Sequence, residues 1–192
     1  MKLSRRILGI KPSATLAVDA KAKELRGQGK NVISFGSGEP DFVSPPAVFE
    51  YAKEAMKRGE THYTPTPGIA MLREEISAYY KKRFGLDYSP VQVVVGSGAK
   101  PMIFEALAAI VDPGDEVIVL SPTWVSYIEQ IQLVDGKVVV VPTQDTDFVP
   151  QIERIEKAIT DKTVAILLNS PSNPTGMMFD KETIKAIGQL VI

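Results

Sequence analysis

Cysteine is absent from this chain, and histidine and tryptophan occur once each, as His62 and Trp124. Without cysteine there is no disulfide framework, no thiolate nucleophile and no Cys-based metal site. A single histidine rules out a histidine-rich metal centre, so no metal is expected. Charge of one sign is missing too: 22 Lys and Arg against 23 Asp and Glu leave a net charge of −1. A nucleic-acid or anionic-membrane surface needs a basic face, and neither partner is expected. No apolar run approaches the roughly 20 residues of a membrane helix. Arg5 and Arg6 precede only a short ILGI run before Pro12, so no signal peptide is visible and the cytoplasm is the default location.

What is there suits a globular chain with a real core: 192 residues, 44% hydrophobic and 23% charged. SATLAVDAKAKELRGQG (13–29) predicts an amphipathic helix, with Ser13 as N-cap and Gly27 and Gly29 as stop signals. NVISFGSG predicts a short strand. PAVFEYAKEAMKRG predicts a helix with Val48, Tyr51, Ala52, Ala55 and Met56 on one side, and IAMLREEISAYYKKRFG a helix ending at Gly85. From residue 91 the pattern becomes regular. The runs VQVVVGSG, DEVIVLSP, KVVVVPT and TVAILLN predict strands, each followed by a helical segment. The strands are almost wholly apolar rather than alternating, so both of their faces should be covered. The expected fold is therefore α/β, a three-layer sandwich with a mostly parallel sheet and helices on both faces.

Several corners carry candidate chemistry, each with a plainer alternative. GSGAK (96–100) joins a predicted strand to a helix. Its N–H groups and the positive end of the helix dipole would suit an anion, most often phosphate; a plain tight turn is the alternative. It is neither a GxxxxGK[ST] loop nor a GxGxxG fingerprint, since Pro101 stands at the last position. Trp124, in SPTWVSY, follows a strand end, where open α/β sheets bind ligands. Its ring could stack on a planar ligand or simply pack on the sheet. NSPSNPTG (169–176) crowds two prolines, two asparagines and a glycine behind another strand. Asn173 precedes Pro174 and is kept from helical geometry, which would hold its amide rigidly; a turn is the plainer reading. SGEPDF holds Gly38 as a close-approach position, and THYTPTPG holds Tyr63. His62 reads as a surface loop residue.

In this order and spacing, SGEPDF, HYTPTPG, GSGAK, DPGDEVIVLSPTWVSY and NSPSNPTG resemble the class I aminotransferases. These are fold-type I enzymes dependent on pyridoxal 5′-phosphate, and the prokaryotic aspartate aminotransferase subgroup is most similar. The resemblance implies a large cofactor domain of the PLP-transferase type. It implies cofactor contacts from Gly98, Ala99 and Lys100 to the phosphate, from Trp124 to the pyridine ring and from Asn173 to the phenolic oxygen. Substrate would meet Gly38, Trp124 and Asn173. Tyr63 would reach the phosphate in a neighbouring subunit, which implies a homodimer. Residues 1–45 would be an N-terminal arm and part of a small domain, and 46–192 the first half of the cofactor domain. Ser121–Pro122 and Asn173–Pro174 are both expected to be cis.

The resemblance also implies what should be missing. The lysine that carries the cofactor as a Schiff base, the aspartate that keeps its ring nitrogen protonated and the arginine that grips the substrate carboxylate all lie after NPTG in the family. The chain ends on an apolar QLVI with no cap and at about half the family's length, which reads as an N-terminal half. The parent enzyme is then expected to move an amino group between an amino acid, aspartate first, and a 2-oxo acid. No catalytic residue can be named within the 192 residues, and alone they are expected to be inactive. The alternative is a non-catalytic phosphate-ligand binding or structural fragment.

Overall fold

The computed structural model describes residues 2–10, 13–36, 38 and 40–191. In chain order the helices and strands begin with α1 (Arg5–Gly9), α2 (Ala14–Gly27), α3 (Pro46–Lys57), α4 (Ala70–Phe84) and α5 (Ala99–Ile110). They continue with β1 (Glu116–Ser121), α6 (Val125–Leu133), β2 (Lys137–Pro142), α7 (Ile152–Ala158), β3 (Thr163–Leu167) and α8 (Lys181–Leu190). The chain forms two units, Met1–Ser13 with Ala99–Ile192, and Ala14–Gly98.

The first unit is a three-layer α/β sandwich. Its strands are parallel in the order β2-β1-β3. β-Branched residues dominate all of them, which suits a pleated, buried surface. In β1 successive side chains point to opposite faces. Val117 and Val119 pack with Leu107 and Val111 of the α5 region and with Tyr127 and Ile131 of α6. Ile118 and Leu120 pack with Val141, with Ile155 of α7 and with Ile187 of α8. Val117, Ile118 and Val119 have no exposed surface. Burial of each contributes about 1.5–3 kcal/mol relative to exposure.

A polar clasp closes the other end of the sheet. The Glu116 carboxylate, in a residue only 5% exposed, accepts from Lys137 Nζ at 2.7 Å and from Thr160 Oγ1 at 2.7 Å. Those hydrogen bonds, that to Lys137 first, hold its pKa below the ordinary carboxylate value. One side chain thereby ties the starts of β1 and β2 to the turn before β3. The Asp135–Gly136 corner that leads into β2 is equally tight. A Cβ on Gly136 would lie 2.8 Å from Val111 Cγ1 and 3.0 Å from Ile131 Cγ2.

The second unit holds α2, α3 and α4. Gly85 caps α4 in left-handed geometry, at φ 71°, as the sequence predicts. α3 buries none of its residues, and its apolar positions Val48, Tyr51 and Met56 are all exposed. Tyr79, Tyr80, Phe84 and Tyr88 form an aromatic cluster with ring centroids 5.5–6.2 Å apart.

Two expected strands do not form, because a strand needs a hydrogen-bonded neighbour. Val93 is extended after a 3-10 turn at Pro90–Gln92, but its carbonyl accepts from Arg73 Nε at 2.9 Å rather than from a strand. Val95 N–H donates to the Pro67 carbonyl at 3.0 Å, which draws the THYTPTPG loop against it; a Cβ on Gly68, at φ +100°, would meet Val95 Cβ at 3.0 Å. In NVISF the Val32 carbonyl accepts from Arg26 Nε at 3.0 Å, and Ser34 Oγ donates to Asp19 Oδ1 at 3.2 Å. Among the described residues no helix is long and apolar enough to cross a membrane, and no cluster of metal-ligating side chains occurs.

Gly136→Ala should destabilise the sandwich by about 1–3 kcal/mol through overpacking, read as a lower urea midpoint. The Glu116 clasp carries a pH signature. A carboxyl with a depressed folded pKa stabilises above its unfolded pKa, and that contribution is lost as pH falls through the folded value. Urea midpoints of wild type and Glu116→Gln should therefore differ at neutral pH and converge in acid below the ordinary carboxylate range. A gap that persists there would show that the carboxylate's charge is not what stabilises.

Candidate functional site

β1 and β3 run side by side and parallel, so the loops that leave their C-terminal ends meet. The Ser121–Pro122 bond is cis after β1, and Ser170–Pro171 and Asn173–Pro174 are cis after β3. A crevice enclosing only about 10 Å³ separates the loops, lined in part by Pro122, Thr123, Thr143, Asn169, Ser172 and Thr175. SPTW and NSPSNPTG are thus in one place, with no room between them for more than a water.

The first loop is held from β2. Thr143, 4% exposed, donates from both its N–H (3.0 Å) and its Oγ1 (3.1 Å) to the Ser121 carbonyl. Gln144 Nε2 adds a bond to Ser121 Oγ at 3.2 Å. Three residues on from Ser121, Trp124 occupies the N-cap position of α6. Its ring meets that of Tyr127 nearly at right angles, with centroids 5.3 Å apart. Burial pushes the Tyr127 phenol pKa up.

The second loop holds itself. Asn173 N–H donates to Asn169 Oδ1 at 2.9 Å, Ser172 N–H to the Met177 carbonyl at 2.8 Å and Phe179 N–H to Ser170 Oγ at 2.9 Å. Gly176, at φ 73°, closes it by donating to the Ser172 carbonyl at 2.8 Å. The backbone of Asn173 is fixed while its exposed side-chain amide has no partner among the described residues. A rigid peptide carrying a free amide can donate and accept at once.

α5 starts at Ala99, directly after Gly98 at φ +106°, a conformation that favours glycine. As at any helix start, its first N–H groups have no intrahelical acceptor, and no acidic side chain sits in its first turn. The Lys100 ammonium stands 5.1 Å from the centre of the Trp124 ring, so the lysine expected at a phosphate and the ring expected at a pyridine are neighbours. The Lys100 carbonyl accepts from Gln130 Nε2 at 2.6 Å. Gly38, Tyr63 and Gly98 belong to the other unit. Tyr63 is fully exposed there, and a Cβ on Gly38 would touch nothing.

Sequence reasoning missed Thr143 and Gln130. Thr143 follows an apolar strand and looks like any strand end. Gln130 flanks the Tyr127–Ile131 stripe of α6, and a polar residue beside that apolar stripe is the only hint the sequence holds.

The family model for aminotransferase class I and II matches residues 30–191. The chain belongs to this family. It is 47% identical over 191 residues to the aspartate/prephenate aminotransferase of Thermus thermophilus, which covers 99% of this chain and 50% of that protein. With the aspartate aminotransferase of Geobacillus stearothermophilus it shares 44% identity over 193 residues, covering 100% of this chain and 49% of that one. The solved structure of Thermus thermophilus aspartate aminotransferase with maleate superposes with a TM-score of 0.95 at 46% identity, over 99% of this chain and 50% of that chain. The fold expected from the sequence is therefore that of this aminotransferase family. The chain spans about half the length of the curated relatives it matches.

The hold on Ser121 is open to test. Thr143→Val removes the hydroxyl donor and leaves the backbone N–H bond, so the loss should be about 1 kcal/mol by urea denaturation.

Proposed function

We propose that these residues are the N-terminal half of an aminotransferase that moves an amino group between aspartate and a 2-oxo acid with pyridoxal 5′-phosphate. The observation that carries the reading is the Lys100 ammonium at the start of α5 beside the Trp124 ring, with the rigidly mounted, unengaged amide of Asn173 in the loop next to the Trp124 loop.

The donor set fits the cofactor. A phosphate monoester suits N–H groups at a helix start together with a mobile ammonium, here Gly98, Ala99 and Lys100. A pyridine ring suits an indole face, here Trp124. A phenolic oxygen suits a fixed amide donor, here Asn173. The bound cofactor would supply an electron sink for chemistry at the substrate α-carbon. The chain's own residues would bind and orient. The helix start would hold the phosphate, Trp124 would fix the plane of the ring, and Asn173 would bridge the ring and the substrate carboxylate. Gly38 would let substrate approach the backbone closely. Tyr63, exposed and in a proline-bearing loop, would serve a neighbouring subunit's phosphate in a homodimer.

Aspartate as the amino donor is supported by the names of the relatives and by the maleate, a four-carbon dicarboxylate, in the similar Thermus structure. The division into an arm and small-domain segment at 1–45 and a cofactor half at 46–192 belongs to the same proposal, as does a cytoplasmic location.

Trp124 is the only tryptophan, so its emission reports the site directly. Pyridoxal 5′-phosphate should quench it saturably, and Asn173→Ala should weaken the binding. The 192-residue polypeptide by itself should show no transamination and no lysine trapped by borohydride. The protein as its source makes it should transaminate aspartate. A source protein that binds the cofactor but leaves aspartate untouched overturns the substrate; one that neither binds nor quenches overturns the cofactor reading.

A further inference from the structure

We propose that Gln130 is a positioning residue for the phosphate cradle: its buried amide holds the Lys100 peptide so that the start of α5 presents its N–H donors to the phosphoryl group. The proposal rests on the reading that this helix start receives the cofactor phosphate.

Gln130 is 5% exposed, on α6, and Nε2 reaches 30 residues back along the chain to the Lys100 carbonyl at 2.6 Å. Its Oε1 is buried without a partner among the described residues. A half-satisfied buried amide is a poor way to gain stability, since the orphaned acceptor carries a desolvation penalty. A leucine would fill the position and remove that penalty. The bond to Lys100 is therefore best understood by what it does to α5.

The cradle is short of donors. Pro101 has no N–H, so the run that can face an anion ends at Lys100, after Gly98 and Ala99. Lys100 also precedes a proline, which disfavours helical geometry. It is nonetheless helical, as the second residue of α5. Gln130 grips the carbonyl of this residue, in the Lys100–Pro101 peptide, and so fixes from the neighbouring helix α6 the backbone that directly follows the last donor of the cradle. The Lys100 side chain remains free of the restraint and stands over Trp124.

The test compares Gln130→Leu and Gln130→Met with wild type, in the protein as its source makes it. Dissociation constants are measured for pyridoxal 5′-phosphate and for pyridoxal, together with competition by inorganic phosphate and thermal midpoints. Wild type should prefer the phosphorylated ligand. Both variants should keep their thermal midpoint and their pyridoxal affinity. They should lose roughly tenfold in pyridoxal 5′-phosphate affinity, equivalent to ~1.4 kcal/mol, and be less sensitive to inorganic phosphate. Two results overturn the role of Gln130: an unchanged preference for the phosphorylated ligand, or parallel losses of both affinities with the thermal midpoint, which is a purely structural effect. A wild type that does not distinguish the two ligands overturns the underlying phosphate reading instead.

Discussion

Strand β1 is hydrogen-bonded on both edges and covered on both faces, so it can shed neither backbone nor side chain to water. Everything else in the sandwich is arranged by that constraint. Its apolar residues need a layer above and a layer below, which α5 and α6 provide on one side and α7 and α8 on the other. Its backbone needs β2 and β3 as parallel neighbours, and parallel neighbours require crossover connections, which are α6 and α7, one of the covering helices from each side. Because all strands then point one way, the loops that leave β1 and β3 share one edge of the sheet. The site follows from burial before any chemistry is considered.

At that edge the problem is reversed: groups must be held still while remaining accessible. The structure does this with side chains that hold backbone. Thr143 pins the Ser121 carbonyl, Asn169 pins the N–H of Asn173, and Gln130 pins the Lys100 carbonyl. In each case the restrained atom is main chain, and the side chain of Lys100 or Asn173 stays available. A rigid mount with a free functional end is what orientation of a small anionic ligand requires. The unit 14–98 is built differently. Little of it is buried, its apolar helix faces are open, and its expected strands find side chains and a loop carbonyl instead of ladders.

The regular part of the fold was legible in the residues themselves. The apolar runs EVIVLS, KVVVVP and TVAIL became β1, β2 and β3, and Gly85 and Asp180 stand at the helix boundaries that their chemistry suggests. The motifs GSGAK, SPTW and NSPSNPTG were legible as costly corners. Such features are local, decided by propensity, capping and periodicity within a few residues.

What tertiary structure alone decided is pairing. VQVVV is as β-prone as KVVVVP, yet only the second found a partner strand, because a strand is a relation between two segments and no single run contains it. Likewise nothing in the local sequence says that Thr143 reaches Ser121 22 residues earlier, or that Gln130 reaches Lys100 30 residues earlier. Those bonds depend on where packing sets the elements, and a polar side chain finds its partner only after burial has brought the two together.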